Sequence, residues 1–489
     1  MNRNQFLAVL LSELLVFPAP GAAPTPKSAT PSGLLPEVHE PLRQALQKPY
    51  LDLFEEAPRL EFSPSQIEAM RKHLERSKEA CVRNFKKRSD DHGKELLRVQ
   101  RDLKASTAKL SDAERKERHC RIQNLRALEN QAKVLAENAI PVAYDNLKAK
   151  LELIEKWPAE FKRIQAEIQE GAHHRRKFGD VKDIGFRELV AGQENDIKDG
   201  QEAVRQMKLA GLLPPEIDNP AIKEYVSKLA QRIAKHSDLR VPLHITLLNS
   251  KEINAFALPG GYLFIQRGLL EAVEDESQLA GVIAHEIAHV TGRHGHKLMK
   301  RATFASLIYQ AAQLAAVILT GGAASIGAYY ALQYGFYGLG LVLSLDMLGV
   351  SREFELESDV LGIQYAWNAG FDPDGFIRFF DKMATQEGYV SGLSWFRTHP
   401  PFYERMVHSK REIMFLPPKS GLVRQSKEFE QMKTELAKLT AKAAEEEQQR
   451  PSLLAPVEGC AAPAKIEYKP GQPIEELCAG SIDSKAASR

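Results

Sequence analysis

The chain has no strong excess of either charge and few cysteines. It contains 66 Lys and Arg against 64 Asp and Glu, a net charge of +2, so the composition gives no reason to expect a nucleic-acid partner. Only 4 cysteines occur in 489 residues and none lies in a Cys-x-x-Cys pair, which argues against a cysteine-ligated zinc site. The even count fits an oxidising compartment, with Cys81–Cys120 and Cys460–Cys478 as the expected local disulfides.

Charged residues are absent from Ala302 to Leu345, a stretch of 44 residues with Gly321 and Gly322 near its centre. Its length alone permits two membrane helices. However, Gly, Ala, Ser, Tyr and Gln are frequent in it, and its second half is rich in glycine. We therefore expect residues 302–345 to form a buried or membrane-associated hairpin rather than two spans, so this stretch is the candidate for membrane association.

Residues 1–28 are predicted to be a signal peptide or an N-terminal anchor. They combine an early positive charge at Arg3, an apolar stretch that begins at Phe6, and small residues from Ala19 to Ala23. Glu13 interrupts the apolar stretch, so an uncleaved anchor or an amphipathic helix is the alternative. Export is expected, and residues 29–59, which begin with many Pro, Thr and Ser, are predicted to be a linker.

Residues 60–180 are dense in Lys, Arg, Glu, Gln, Leu and Ala and poor in Gly and Pro. Segments 67–109 and 113–169 predict long charged helices packed as antiparallel, coiled-coil-like hairpins, with Pro141 and Pro158 interrupting the second segment. Such a helical arm could bind a partner protein or position a substrate. A solvated spacer is an equally good interpretation.

The sequence His285-Glu286-Ile-Ala-His289 lies within an apolar run that predicts a buried helix. A spacing of four residues places the two histidines on one helical face, one turn apart, from where both imidazoles could bind one zinc ion. Glu286 could take a proton from a zinc-activated water. The alternative, a solvated helix face, is disfavoured because the flanking residues are mostly Leu, Ala, Val and Ile.

A zinc protease needs a third protein ligand, and the acidic cluster from Ser351 to Asp359 is the next source along the chain. Glu353, Glu355 and Glu357 all qualify, and spacing alone does not choose between them. Glu355 and Asp359 are four residues apart on one helical face, so one could bind the metal while the other orients a ligand histidine. A charged helix face without a metal is the alternative.

Four sequence blocks, in order along residues 185–415, resemble the HtpX, CAAX prenyl endopeptidase and BepA family of zinc metallopeptidases, which are gluzincins. The blocks are Asn254-Ala-Phe-Ala-Leu-Pro-Gly-Gly-Tyr262, His285-Glu-Ile-Ala-His289 with the following Gly292-Arg-His-Gly, Phe354-Glu-Leu-Glu-Ser-Asp359, and Thr398-His-Pro-Pro401 with Arg405. Ser358 stands where the family pattern Glu-x-x-Ala-Asp has alanine. Four blocks together are far more specific than one short motif.

The resemblance implies an α+β fold, mainly helical and zincin-type with a small β-sheet, for residues 181–418. It implies one Zn²⁺ per chain, bound by His285, His289 and Glu355, with Glu286 as the general base. Asp359 is then expected to orient a ligand histidine from behind.

The same resemblance implies roles for residues outside the predicted zinc helix. His399 is expected near the metal, where it could stabilise the oxyanion formed in the reaction or cap the zinc in a resting form. An edge strand beside the zinc would pair with an extended substrate backbone. The strand residues are Asn254, Ala255 and Phe256. His294 and His296 lie beyond the face of the ligand histidines and are interpreted as structural.

The predicted function is zinc-dependent endopeptidase cleavage of unfolded, misassembled or membrane-associated proteins, in quality control of a bacterial envelope, either periplasmic or membrane-associated. Protein or peptide substrates are thus the expected partners. Two other classes stay open: a chaperone-like or scaffold protein with latent protease activity, and an integral membrane protease of the prenyl-protein type. Residues 419–489 predict one helix and then a partly disordered tail, which offers no chemistry.

Overall fold

The structure is a computed structural model. It describes residues 39–106, 110–175, 177–209, 213–299, 351–385, 395, 399, 403–449, 459–461, 466 and 473–479. The predictions for residues 1–28, for residues 302–345 and for much of the C-terminal tail lie outside these residues. Within the part of the chain that is described, no helix combines the length and apolar character needed to cross a membrane.

The predicted α+β class is confirmed, because helices dominate the described ranges and the strands form one small sheet. The strands are β1 (His244–Leu248), β2 (Ala255–Leu258) and β3 (Tyr262–Gln266). Their order in the sheet is β1-β3-β2, with β1 parallel and β2 antiparallel to β3. The tight Pro259–Gly261 connection joins β2 to β3, and β2 lies at one edge of the sheet.

The helices fall into an N-terminal group, a central group around the sheet and a C-terminal group. In chain order they are α1 (Glu40–Leu46), α2 (Tyr50–Glu56), α3 (Pro64–Ser106), α4 (Asp112–Val134), α5 (Ile140–Gln169), α6 (Asp196–Leu209), α7 (Pro220–Lys235), α8 (Arg267–Ala272), α9 (Glu276–Thr291), α10 (His294–Met299), α11 (Arg352–Asn368), α12 (Gly375–Thr385), α13 (Tyr403–Phe415), α14 (Lys427–Gln449) and α15 (Ile474–Ala479).

Helix α9 runs through the core, and nearly all of its residues are buried. It begins after Asp275, whose side chain accepts a hydrogen bond from a backbone N–H of the first turn. Glycines allow two helices to approach it closely: a Cβ on Gly281 would lie 2.9 Å from Phe376 of α12, and one on Gly362 of α11 would lie 2.9 Å from the backbone of His285. This close packing brings side chains of α11 within reach of the histidines of α9.

Helix α3 packs antiparallel against α4 and α5, as predicted for the charged segment, with ion pairs such as Lys148 to Glu75 at 3.0 Å between them. A π-helical turn at Leu135–Ala139 separates α4 from α5. Pro141 accounts for this turn, because it has no N–H to donate to the carbonyl four residues earlier and its ring crowds that carbonyl. Pro158, by contrast, lies inside α5, which continues to Gln169.

The predicted disulfide pairing is wrong, since both bonds join the helical arm to the C-terminal segment. The bonds are Cys81–Cys478 and Cys120–Cys460. The hairpin register explains the error. Arg121 pairs with Glu95 at 2.5 Å, so Cys120 lies opposite that part of α3, whereas Cys81 lies about 20 Å further along α3 at 1.5 Å per residue. Spacing in the sequence did not reveal that the C-terminal segment returns to the arm.

A buried charged cluster, which we call the junction cluster, joins the arm to α12. Tyr50 is the first residue of α2, and its backbone N–H donates to the carboxylate of Asp381 on α12. The nitrogen lies 2.9 Å from one carboxylate oxygen and 2.7 Å from the other. A carboxylate is stabilised at a helix N-terminus. Lys150 of α5 is buried and donates a hydrogen bond to the backbone carbonyl of Lys48 at 2.5 Å. The arm and the helices around α9 therefore share one core.

Candidate active site

Helices α9 and α11 bring the three predicted metal ligands together. The Nε2 atoms of His285 and His289 lie 3.1 Å apart, as expected for side chains one turn apart on α9. Glu355, in the first turn of α11, places Oε1 3.3 Å from His289 Nε2 and Oε2 3.6 Å from His285 Nε2. Two imidazole nitrogens and the carboxylate of Glu355 therefore converge between the two helices.

The positions of the three acidic candidates around the axis of α11 distinguish Glu355 from the other two. Successive helical residues are rotated by about 100°, so Glu353 and Glu357 point away from the face that carries Glu355. Glu353 is exposed, and Glu357 lies 3.7 Å from Nε2 of His294. The geometry therefore favours Glu355 as the third ligand.

The donor set fits a metal ion. Ligands 2.0–2.2 Å from a tetrahedral centre lie about 3.3–3.6 Å from one another. The two imidazole nitrogens here are slightly closer, at 3.1 Å, and each has an oxygen of Glu355 at a similar distance, Oε1 at 3.3 Å from His289 and Oε2 at 3.6 Å from His285. Two imidazole nitrogens and a carboxylate oxygen that all face one point cannot all be satisfied by one shared proton. An ion that accepts a lone pair from each of them satisfies all three.

Asp359 and Arg405 contact the predicted ligands on the side away from the point where they converge. Asp359 lies one turn after Glu355 on α11, with Oδ1 3.0 Å from His285 Nδ1. Arg405 of α13 donates to Asp359 through Nε and Nη2, both at 2.7 Å, and Nη1 lies 3.1 Å from Glu355. These four residues are buried, so their mutual pairing offsets the cost of removing the charges from water. Together with His289 they form a group that we call the site cluster.

Burial and neighbouring charges move the pKa values of the ligands in different directions. Burial acts to lower the pKa of His285, yet Asp359 and Glu355 raise it to about 9. Burial lowers the pKa of His289 to about 3. Burial acts to raise the pKa of Glu355, yet the neighbouring His399 and Arg405 side chains hold that pKa well below its usual value. At neutral pH His289 and Glu355 are thus ready to bind a metal, whereas His285 must first lose a proton.

Glu286 is buried beside the ligands, and burial raises its pKa to about 8. Its carboxylate accepts a hydrogen bond from the backbone N–H of Ala257 in β2. Its Oε1 lies 3.4 Å from His399 Nε2, and across the described ranges neither atom has a hydrogen-bond partner. Buried polar atoms without partners are costly, which fits a place where a reacting group is bound.

His399 lies against the ligands, although it belongs to neither α9 nor α11. Its Nδ1 is 2.9 Å from Oε2 of Glu355, and its ring packs on Trp395 with centroids 4.1 Å apart. One ligand atom from each of His285, His289, Glu355 and His399 lies within 4.8 Å of the others. His399 can therefore reach either the metal or a group that reacts beside it, and its role stays a prediction.

The predicted substrate strand lies next to the site. Ala255 and Phe256 belong to β2, and Asn254 directly precedes it. The ring of Phe256 stacks on Phe264 at 4.7 Å, so this side chain is part of the core. The bond from Ala257 to Glu286 places the backbone of β2 beside the general-base candidate. A substrate-binding role for the strand stays a prediction.

Two residues that shape the site, Arg405 and Phe376, had no predicted role. Arg405 was part of a resembling block, but no spacing rule connects a lone arginine with carboxylates about 50 residues earlier. Phe376 stacks on the ring of His285 at 5.2 Å with 15° between the planes, and one apolar residue among many carries no sequence signal. His296, interpreted as structural, lies 3.0 Å from Asp196.

Comparison with known proteins identifies the domain that contains this site. Residues 216–413 match the model of Peptidase family M48. The chain is 29% identical over 289 residues to the beta-barrel assembly-enhancing protease of Yersinia pestis, covering 58% of this chain and 56% of the relative. It is 30% identical over 249 residues to the protein of the same name from Escherichia coli (strain K12), covering 49% and 47%.

A mitochondrial relative is similar over a comparable length of the chain. The mitochondrial metalloendopeptidase OMA1 of Schizosaccharomyces pombe is 29% identical over 238 residues, which covers 48% of this chain and 62% of the relative. The chain thus spans about half the length of the curated relatives it matches. The match to a metallopeptidase family confirms the kind of family that the sequence blocks indicated.

Proposed function

Because the chain carries a domain of Peptidase family M48 over residues 216–413, we propose that it is a zinc-dependent endopeptidase with one zinc ion per chain. The observation that carries the proposal is the convergence of His285, His289 and Glu355 on one point, with a buried Glu286 beside them. A catalytic zinc site needs three protein ligands and a position left for water, and these residues supply the three ligands that the proposal requires.

The residues of the chain divide the chemistry between them. Zinc, when bound by His285, His289 and Glu355, would activate water and polarise the scissile carbonyl. Glu286 takes a proton from the attacking water and passes it to the leaving amine, and its buried carboxylate next to His285 is placed for both transfers. Asp359 fixes the ring of His285 so that Nε2 faces the metal.

His399 has two candidate roles, which predict opposite results. As an oxyanion stabiliser it would donate from Nε2 toward the reacting carbonyl oxygen, and its loss would slow cleavage. As a cap it would occupy the water position, and its loss would speed cleavage. We expect casein cleavage by His399→Ala to differ from that of the wild type in one of these directions, and an unchanged rate would contradict both roles.

The proposed substrates are unfolded, misassembled or membrane-associated proteins of a bacterial envelope. Two relatives are named beta-barrel assembly-enhancing proteases, which supports a role in assembly quality control. An extended segment could pair with the backbone of β2 beside Glu286, and pairing of this kind depends little on the side-chain sequence. Export of this chain remains part of the proposal.

The proposal is tested by comparing an unfolded and a folded substrate. We expect the wild type to cleave casein and to leave a compact folded protein such as lysozyme intact. A zinc chelator should abolish cleavage, and added zinc should restore it. Glu286→Gln is the control for a contaminating protease. Equal cleavage by Glu286→Gln and the wild type, or cleavage that survives metal removal, would contradict the proposal.

A second candidate function is a chaperone-like binding protein whose protease is latent. The contact between His399 and Glu355 favours it, because this histidine can close the site. In that case casein would be bound but not cleaved, the zinc content would be normal, and Glu286→Gln would bind and protect substrates as well as the wild type does.

A further inference from the structure

The two predicted ligand histidines have different partners on the side away from the metal. His285 has the carboxylate of Asp359 at 3.0 Å from its Nδ1. At His289, the partner that the structure describes on this side is a second imidazole, since its Nδ1 lies 3.0 Å from Nδ1 of His294, in the first turn of α10. From this contact we propose that His294 is a positioning residue that orients His289 for metal binding, an inference that rests on the proposed function.

The chemistry of the contact fixes the direction of the hydrogen bond. If Nε2 of His289 binds the metal, its only N–H is at Nδ1. Nδ1 of His294 must then be the acceptor, and the proton of His294 must be on Nε2. That atom faces the carboxylate of Glu357 at 3.7 Å, which favours this tautomer electrostatically, although the distance is longer than a hydrogen bond. Glu357, His294 and His289 thus form a chain of contacts, which we call the relay, that ends at a proposed metal ligand.

The ring of His294 is held in one orientation. It is 1% exposed and stacks on Phe354 with centroids 4.4 Å apart and 6° between the planes. The hydroxyl of Ser358 lies 3.2 Å from the same Nδ1 that faces His289. Phe354, Glu357 and Ser358 all belong to α11, which also carries Glu355. One helix therefore supplies a ligand and also the surroundings of His294.

The backbone before His294 is strained. Arg293 has a φ of 54°, and it is the one non-glycine residue in the left-handed region among those the structure describes. This conformation turns the chain back beneath α9, and it persists because Arg293 donates to Asp196 at 2.7 Å and 2.6 Å. Strain that is held in place by a specific ion pair is typical of functional positions.

The sequence could not reveal this contact. On a continuous helix, position 294 lies 140° from position 289, which is why His294 was interpreted as lying off the ligand face. Helix α9 instead ends at Thr291, and the turn at Arg293 returns His294 to the ring of His289. The interpretation that His294 is not itself a ligand agrees with this geometry, because its Nδ1 contacts the far side of His289.

The test is the zinc affinity of the purified full-length protein, measured by competition with a chromophoric chelator. The variants are His294→Phe, which keeps an aromatic ring for the stack on Phe354, and His294→Asn, whose amide can replace Nδ1 as the acceptor. His174→Phe, an exposed histidine, is the control. We expect His294→Phe to bind zinc about 10–100-fold more weakly, with His294→Asn closer to the wild type and His174→Phe unchanged.

The outcomes separate this inference from the proposed function. A folded His294→Phe that binds zinc as tightly as a zinc-binding wild type would overturn the positioning role and leave the proposed function intact. A folded wild type that binds no zinc would overturn both.

If His294→Phe fails to fold, Glu357→Gln is the variant that tests the positioning role. We expect this variant to fold because Glu357 is only half-buried. We expect a loss of zinc affinity of about 2–10-fold from this variant, smaller than for a direct contact. In both variants the turnover number at saturating zinc should fall more than KM changes, since the substrate-binding strand is untouched. Unchanged zinc affinity in Glu357→Gln would overturn the relay.

Discussion

The site cluster and the junction cluster both bury opposite charges, but they satisfy them differently. In the junction cluster, Asp381 accepts backbone N–H groups and Lys150 donates to a backbone carbonyl. In the site cluster, two imidazole nitrogens and a carboxylate face one another. A cluster whose donors and acceptors match needs nothing further, whereas one in which several ligand-type atoms converge is suited to a cation that displaces the proton they share. Matching donors to acceptors therefore distinguishes a structural cluster from a proposed metal site.

The largest expected effect is a loss of casein cleavage that occurs in a variant near the site cluster and not in a variant of the junction cluster. Glu286→Gln should lower casein cleavage by about 10²–10⁴-fold, because the general base is lost, with zinc content and fold unchanged. Asp381→Asn makes the same chemical change in the junction cluster and should leave cleavage near the wild-type rate. Cleavage rates of both variants provide the measurement. Equal losses of cleavage rate in the two variants would show that the two clusters do not differ in function.

Arg405→Met tests how far the ion pairs of Arg405 stabilise the site cluster when no metal is bound. It leaves Glu355 and Asp359 buried without their cation, which should lower the free energy of unfolding by about 3–5 kcal/mol in EDTA. Added zinc should recover part of the loss, because the ion supplies positive charge. Arg163→Met, at an exposed ion pair, is the control, with a loss below about 1 kcal/mol. Urea unfolding measures the free energy of unfolding of both variants. Equal losses of stability in the two variants would contradict this role of Arg405.

The two clusters should respond to pH in opposite directions. Burial raises the pKa of Asp381 to about 6 from 3.8, so its contribution to stability is fully present below pH 3.8 and is lost as the pH rises through 6. Burial acts in the same direction on Asp359, but Arg405 lowers its pKa, so its contribution is present above pH 3.8 and is lost as the pH falls.

Asp381→Asn isolates the first of these effects. Its free energy of unfolding relative to the wild type should rise between pH 4 and pH 7 by on the order of 3 kcal/mol, the equivalent of the Asp381 shift. Urea unfolding in EDTA at both pH values is the measurement. The same difference at pH 4 and at pH 7 would show that Asp381 does not titrate between them.

The smallest expected effect is the coupling within the junction cluster. Lys150→Met and Asp381→Asn, alone and together, form a double-mutant cycle. We expect a coupling energy of about 1 kcal/mol, since each side chain is satisfied largely by backbone groups rather than by the other. Zinc should not change this value, because the junction cluster lies apart from the ligands. A coupling of several kcal/mol, or one that depends on zinc, would break the contrast with the site cluster.

Much of the site could be predicted because its information is local. The spacing of His285 and His289 predicts that they share one helical face. Glu286 directly follows His285, so its place beside the metal site is predicted as well. The choice of Glu355 over Glu353 and Glu357 needed the resemblance, since all three lie in one short acidic run. The structure then places only Glu355 toward the histidines.

What could not be predicted depends on contacts between distant segments. The bond from Tyr50 to Asp381 joins residues 331 apart, and no periodicity connects them. The disulfide prediction failed for the same reason, because pairing by proximity in the sequence ignores the register of the α3–α4 hairpin. The contact of His294 with His289 was not predicted, because the helical periodicity on which the interpretation relied ends before the strained residue Arg293.

The most direct test of the central claim is the zinc content of the purified protein together with its casein cleavage, for the wild type, Glu286→Gln and Glu355→Ala. The account predicts about one zinc per chain in the wild type and in Glu286→Gln, much less in Glu355→Ala, and cleavage by the wild type alone. A well-folded wild type without zinc, or a Glu286→Gln variant as active as the wild type, would contradict it.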